Sequence, residues 1–446
     1  MNSKLNPLDG NTYPTAVLTT LPSGSSFARY DPQGKYIAGG RYDGRTLIWD
    51  LETKSTVRRL EGHLKTVTSV DWSRNSRYLL TASKDWNTIV WDLTTESFSP
   101  RRYATIRFDA PVASAYFHPR NMKIILVLLA VGDAFVVDLR SGELRGRREL
   151  LENQNEIDQV KRSAFTVARF DPSGKHIYVG TSTGTLLIFR TMTQDLVARY
   201  KITGAGTQAL VMRGLSFSKN GRRLITNSSD RVLRQFNLPV DFPPLYPYEE
   251  EDQELTELEP TYRFSDPINR VAWHNMAYSP DGIWLAGGSS DSATHKIYIW
   301  DLSSDGQFVT SLDGGREPLL DVTWHPKAPA IASTTKSGDI LLWHCPTAER
   351  WGAFAGGFEE VDENVEYEER EDEFDIANED EMAQRKKQIE DAEVDILGLD
   401  EVSDDSDVER SKEVHDPDIH WAETDPDDDK KGWTMKVIMD IPEYYY

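Results

Sequence analysis

Cysteine is almost absent: Cys345 is the only one in 446 residues. A single thiol excludes a disulfide framework and any zinc site built on cysteine pairs, and it agrees with a reducing compartment. Long apolar runs are missing too. The longest, IILVLLAV at residues 124–131, falls far short of the ~20 residues that cross a bilayer. The opening stretch, MNSKLNPLDGNTYP, has neither the basic nor the apolar segment of a secretory signal. The expectation is a soluble intracellular protein with no membrane partner.

Catalytic signatures are equally scarce. There is no HExxH, nucleophile elbow or phosphate-binding loop. GAGTQA at residues 204–209 has the GxGxxA spelling, but it lies between strand-rich stretches with no helix to follow, so it reads as chance. His118 and His325 each precede proline, in FHP and WHP, at strand-to-turn corners where a structural role is expected. Carboxylate pairs crowd only the C-terminal end, where solvated acids lack the burial that tunes a pKa for acid–base work. No convergent polar set that could make an active site is visible in the strand-rich part. The chain is therefore expected to be no enzyme, with no cofactor, no metal and no small-molecule substrate.

Charge is present but unevenly placed. The formal net charge is −23. Residues 351–446 hold 34 acids against 9 bases, whereas residues 1–350 hold 39 against 41. The first 350 residues can bury a large core. The rest repel themselves.

One pattern returns along the near-neutral part: an apolar strand, a DPxG-type turn, a second strand, a small turn, and a strand ending in Trp-Asp or a relic of it. The clearest copy is GHLKTVTSVDWSRNSRYLLTASKDWNTIVWDL at residues 62–93. Seven copies place Trp49, Trp91, Val137, Phe189, Phe236, Trp300 and Trp343 at the same point. Most spacings lie near the ~40–45 residues of a WD repeat. The longest gap holds PPLYPYEEEDQELTELEP, residues 243–260, a Pro- and acid-rich surface excursion. These copies resemble WD40 proteins. A lone blade cannot cover both its faces, so seven would stack and close a ring. The fold class is all-β: a seven-bladed WD40 β-propeller followed by an acidic, largely extended or disordered C-terminal tail. In the best copy His63, Ser83, Asp85 and Trp91 are expected to form a buried hydrogen-bonded chain, from the turn carboxylate through His and Ser to the indole N–H.

The tail adds a narrower likeness. Acids interleaved with Phe354, Phe358, Val361, Val365, Tyr367, Phe374 and Ile376 suit a segment that orders on a basic and apolar partner surface. DENVEYEEREDEFDI at residues 362–376, with GRYDGRTLIWD, TMTQDLVARY and LLDVTWHPKAPAIAS in the blades, resembles the retinoblastoma-binding protein five family. Its members, with their fungal counterparts, are WD-repeat subunits of COMPASS/MLL histone lysine-4 methyltransferase complexes. The resemblance implies a nuclear, non-catalytic scaffold whose partners are a SET-domain methyltransferase, a SPRY-domain subunit, a second WD-repeat subunit and, weakly, the nucleosome.

It also implies residues. Phe358, Val361, Glu366, Tyr367, Glu368, Glu369, Arg370, Asp372, Phe374, Asp375 and Ile376 would meet the SET and SPRY partners. AEVDILGLD at residues 392–400 would dock on the second WD-repeat subunit through Glu393, Val394, Asp395 and Ile396. Arg231, Arg270 and Arg316 match positions that meet nucleosomal DNA, whereas Asp291 departs from the pattern. The organisation that follows is an N-terminal segment at 1–19 and a propeller at 20–350, with an insertion at 241–262 between blades five and six. An activation and SPRY-binding segment follows at 351–380, then an acidic tail at 381–446. The apolar end, GWTMKVIMDIPEYYY, would either return to the propeller or bind another subunit. The rival reading is a histone chaperone whose acids mask basic histones.

Overall fold

The computed structural model describes residues 13–95, 100–141, 146–151, 163–202, 210–239, 256–266 and 272–345, together with Trp421 and Met435. The chain divides into two compact units, 1–346 with 417–446, and 347–416; the second lies wholly outside the described residues.

Seven antiparallel sheets make seven blades. Blade two shows the plan: Val67–Trp72 innermost, then Tyr78–Ser83, Asn87–Asp92 and Arg101–Arg107 outermost. The second and third strands of each blade are apolar on both sides because neighbouring blades cover both. Ile124–Leu129 in blade three, for instance, is buried at all six positions. The seven residues aligned on the Trp-Asp position are all buried in third strands. In all seven blades the pairing of first and second strands shifts register near the same end of the inner strand, as between Val67 and Ser69 or Leu319 and Asp321. Such a bulge bends and twists each inner strand where it meets the axis.

Two boundaries differ from the sequence reading. The ring is closed by Ala16–Leu21, which pairs with Ile340–His344 as the outer strand of blade seven. The propeller therefore begins inside the segment assigned to residues 1–19. An unpaired edge at Ile340–His344 would expose a row of backbone donors and acceptors, and the N-terminal strand covers it. The insertion lies within blade five, not between blades five and six. Its end carries the short outer strand of that blade, Tyr262–Phe264, paired with Leu233–Asn237. Thr256–Glu257 pairs in parallel with Leu196–Lys201, adding a fifth strand to blade four.

Because strands alternate in direction, the blades define two faces. The lower face carries the turns between first and second and between third and fourth strands. The upper face carries the turns between second and third strands and the connections from blade to blade. On the lower face, neighbouring turns are latched together. His118 Nε2 lies 3.0 Å from the Gly174 carbonyl, and His325 Nε2 lies 2.9 Å from that of Gly34 across the ring closure. Both glycines have positive φ, and a Cβ on either would meet the histidine ring at 2.3 Å. Only glycine fits this latch.

The lower face also receives Met435 and Trp421. Met435, 3% exposed, packs into the core shared by blades one and two. Its backbone N–H donates to the Tyr36 hydroxyl at 3.1 Å. The Trp421 ring lies 4.9 Å from the Arg140 guanidinium, which also donates to the Trp421 carbonyl at 2.9 Å. Of the two alternatives for the apolar end, Met435 takes the return to the propeller.

Candidate functional site

The buried relay of blade two sets the geometry of the upper face, and its hydroxyl is Thr81. The Trp91 indole donates to Thr81 Oγ1 at 2.9 Å, and Thr81 Oγ1 lies 2.9 Å from His63 Nε2. His63 Nδ1 lies 3.0 Å from the Asp85 carboxylate. Burial holds the His63 pKa below its usual value, only partly offset by Asp85. The neutral ring thus carries its proton on Nδ1 and accepts from Thr81 through Nε2. Burial also opposes charge on Asp85, but hydrogen bonds from the Leu64 N–H, from His63 and from the Asn87 N–H prevail and hold this carboxyl low.

Ser83, expected in this chain, stands outside it. Its Oγ donates to the Lys65 carbonyl at 2.8 Å and accepts from the Asp85 N–H at 3.2 Å. It fastens the loop that carries His63. Both hydroxyls face the same side of one strand, two residues apart. Thr81 lies deeper, within reach of the indole, and Ser83 lies at the rim.

A second relay escaped the sequence reading. In blade seven the Trp343 indole donates to Ser333 Oγ at 2.8 Å, and Ser333 Oγ lies 2.8 Å from His295 Nε2. His295 comes from the turn of blade six and stacks on Trp343, with ring centroids 6.3 Å apart. Burial lowers its pKa to about 4. The histidine sits ahead of the outer strand of blade six rather than behind it, so the usual motif spacing misses it.

The inner strands hold more polar groups than the sequence reading anticipated. Arg29 of blade one pairs with Asp321 of blade seven, and Asn275 of blade six donates to the same carboxylate at 2.5 Å. Asp71 accepts from the Phe117 N–H at 2.7 Å, and burial lifts its pKa to about 6. The Arg169 guanidinium lies 4.5 Å from the Tyr116 ring. These contacts cross from one blade to the next, so they use the polar groups to join blades. Among the described residues no cluster of three His, Cys, Asp or Glu could hold a metal.

Arg231, in a turn of blade five, and Arg316, in the connection from blade six to blade seven, are both exposed on the upper face. Asp291 is on the same face, its carboxyl held low by Thr294 and the Ala293 N–H. Arg270 lies outside the described residues. So does GAGTQA. The tail set from Phe358 to Ile376, and Glu393, Val394, Asp395 and Ile396, also lie outside them. The propeller that would carry these segments is described; the segments are not.

Comparison with known proteins supplies the context. The family model "WD domain, G-beta repeat" matches residues 54–92, the stretch that contains the whole Thr81 relay. The Set1 complex component swd1 of Schizosaccharomyces pombe is 34% identical over 382 residues, covering 84% of this chain and 90% of that protein. The retinoblastoma-binding protein 5 homolog of Drosophila melanogaster is 34% identical over 450 residues, covering 95% and 86%. The crystal structure of the Cps50 (Swd1) β-propeller domain of Myceliophteria thermophila aligns with a TM-score of 0.63 at 30% identity. It covers 72% of this chain and 97% of that one.

Proposed function

Because the chain belongs to the family of Set1 complex component swd1 and the retinoblastoma-binding protein 5 homologues, we propose that it is a non-catalytic scaffold subunit of a nuclear SET-domain histone lysine-4 methyltransferase complex. The observation that carries this reading is the extent of the match, which reaches almost end to end into a protein named for its place in a Set1 complex.

The tail does the bridging. Residues 351–380 lie between the SET domain and the SPRY subunit. Glu368, Glu369 and Asp372 pair with their basic side chains, and Phe374 and Ile376 fill an apolar pocket. Val394 and Ile396 anchor the second WD-repeat subunit, flanked by Glu393 and Asp395. One segment touching two partners raises their effective concentration and shifts a mobile SET domain towards its productive state, with no chemistry in this chain. Arg231, Arg270 and Arg316 add a nucleosomal DNA contact. Residues 1–350 are nearly neutral, so that contact is weak and sensitive to salt.

The test is histone lysine-4 methylation of nucleosomes by a reconstituted SET, SPRY and small WD-repeat core. The core is assayed alone, with the full chain, and with the full chain carrying Phe374→Ala and Ile376→Ala. A truncation at residue 350 is a poor instrument, because it also removes Trp421 and Met435 from the lower face. The full chain should stimulate, and the double substitution should lower stimulation at least tenfold. No stimulation by the full chain overturns the subunit reading. Undiminished stimulation by the variant overturns the bridging role of residues 374 and 376.

A further inference from the structure

Blade two is the most regular copy in the sequence, yet it breaks the backbone rule of its own upper-face turn. Four other blades place glycine there with positive φ: Gly44 at 88°, Gly132 at 98°, Gly184 at 83° and Gly338 at 101°. Blade two places Trp86 there at 73°. A bulky side chain in the left-handed region is strained, and departures of this kind gather at binding sites. The indole remains 39% exposed.

Trp86 follows Asp85, whose carboxylate holds the loop that carries Leu64. Leu64 is 90% exposed, and its backbone N–H is held by Asp85 Oδ2 at 3.0 Å. This leucine is therefore presented from a loop pinned by the buried relay. Tyr42, 56% exposed, adjoins it through the hydrogen bond from Thr66 Oγ1 to the Tyr42 carbonyl at 3.1 Å. On the other side the Arg107 guanidinium lies 6.0 Å from the Trp86 ring. Lys65 and Lys84 are exposed on the same face.

The charges decide what fits. Asp85, the acid at the centre, is consumed by His63, Leu64 and Asn87. Asp43 is engaged by Arg41 and Arg45. Glu61 is engaged by Arg45 and Arg59, and Asp109 by Arg147, which leaves exposed apolar side chains with Lys65, Lys84 and Arg107 on the same face. A nucleic acid backbone calls for a longer track of cations, and an aliphatic Leu64 is no stacking platform for bases. The chain's own Met435 and Trp421 lie on the opposite face.

We propose that the upper face at the junction of blades one and two, centred on Trp86 and Leu64, docks an acidic peptide segment of a partner that inserts one bulky apolar side chain. The carboxylates meet Lys65, Lys84 and Arg107 at the rim, and the apolar residue lies between the indole and the leucine. This surface is built by described residues alone and is independent of the tail segments assigned above.

The experiment uses the full chain and fluorescently labelled decapeptides, read by polarisation. Each peptide has six Glu or Asp residues and one central Leu, Ile, Phe or Trp. Controls are the same peptides with central Ser, a Lys-rich decapeptide, and a twelve-nucleotide oligothymidine. At least one acidic peptide with an apolar centre should bind, with its central-Ser counterpart at least tenfold weaker. Leu64→Ser and Trp86→Gly should each weaken binding at least tenfold, and Lys84→Glu at least threefold. Leu64 buries almost nothing, so Leu64→Ser tests the surface without threatening the fold. Failure of every acidic peptide to bind, or binding indifferent to both Leu64→Ser and Trp86→Gly, overturns the proposal. Preference for oligothymidine that depends on Trp86 overturns it in favour of a nucleic acid site.

Discussion

The two faces of the propeller use the same repeat in opposite ways. On the lower face, turns are joined to turns: His118 to Gly174, His325 to Gly34, Ser76 Oγ to Asp31 at 2.8 Å, and Met435 to Tyr36. Side chains there are spent on the molecule itself. On the upper face the relay of blade two lies under the surface and holds the loops from within. Leu64 and Trp86 are left exposed beside it, and Arg231 and Arg316 are exposed elsewhere on the same face. The difference follows from where each buried polar group finds its partner, since a group satisfied internally leaves its neighbours available.

The largest expected effect comes from breaking the support of the upper face. Thr81→Ala leaves the Trp91 indole N–H and His63 Nε2 without their shared partner, both buried, at a cost of about 2–4 kcal/mol. Ser83→Ala removes two loop-fastening bonds nearer the rim and should cost about 1 kcal/mol. Thermal melts of both variants, with hydrogen exchange read across blade two, make the comparison. A larger loss from Ser83→Ala than from Thr81→Ala would return the relay to the residue that the sequence alone suggests.

That exchange of roles shows where the sequence is legible. Seven apolar third strands and their turns follow directly from periodicity, because both neighbours of every blade demand the same pattern. Depth within a strand does not follow. Thr81 and Ser83 are both hydroxyls on one face, and only the reach of the Trp91 indole separates them. The closing strand, AVLTTL, is hidden for a related reason. Nothing in a strand states whether its partner lies after the last blade or more than 300 residues earlier. Tyr262–Phe264, only three residues long, is too short to register as a strand, so the insertion before it looked like a spacer between blades. Of the expected relay, His63, Asp85 and Trp91 are legible in the sequence. His295 is not, because its role depends on contact with the next blade.

Acid should weaken both faces through their buried histidines. Burial lowers the His118 pKa to about 4, below the ~6.5 of an unfolded chain. The unfolded state then binds the proton more readily. The stability contributed by neutral His118 is complete above about pH 6.5 and falls away as pH drops towards 4. Carried down to pH 4, the loss is about 3 kcal/mol. His295, on the upper face where blade six meets blade seven, adds a loss of the same sign. Asp71 opposes both: with its pKa raised to about 6, its contribution is lost as pH rises through that value. Melting temperatures between pH 7 and 4.5 should therefore fall with acid. The fall should become shallower in His118→Gln and steeper in Asp71→Asn. A melting temperature independent of pH in the parent chain would contradict this assignment of buried neutral histidines.

The smallest effect has the opposite sign and returns to the exposed surface. Arg231 occupies the same turn position in blade five that Trp86 occupies in blade two, with φ of 67°. Its carbonyl accepts from the Trp273 indole at 2.9 Å, a bond that the backbone keeps whatever the side chain. Arg231→Gly should therefore retain the turn, relieve the left-handed strain and raise stability by up to about 1 kcal/mol. Trp86→Gly relieves the same strain but gives up the buried part of the indole and its contact with Arg107, so its gain should be smaller or absent. If Arg231 is kept for a nucleosomal DNA contact, the stabilised Arg231→Gly chain should bind nucleosomes more weakly, with a shallower salt dependence. A variant both more stable and unaltered in nucleosome affinity would leave the arginine as an unremarkable surface residue. The upper face would then present only its Trp86 and Leu64 side.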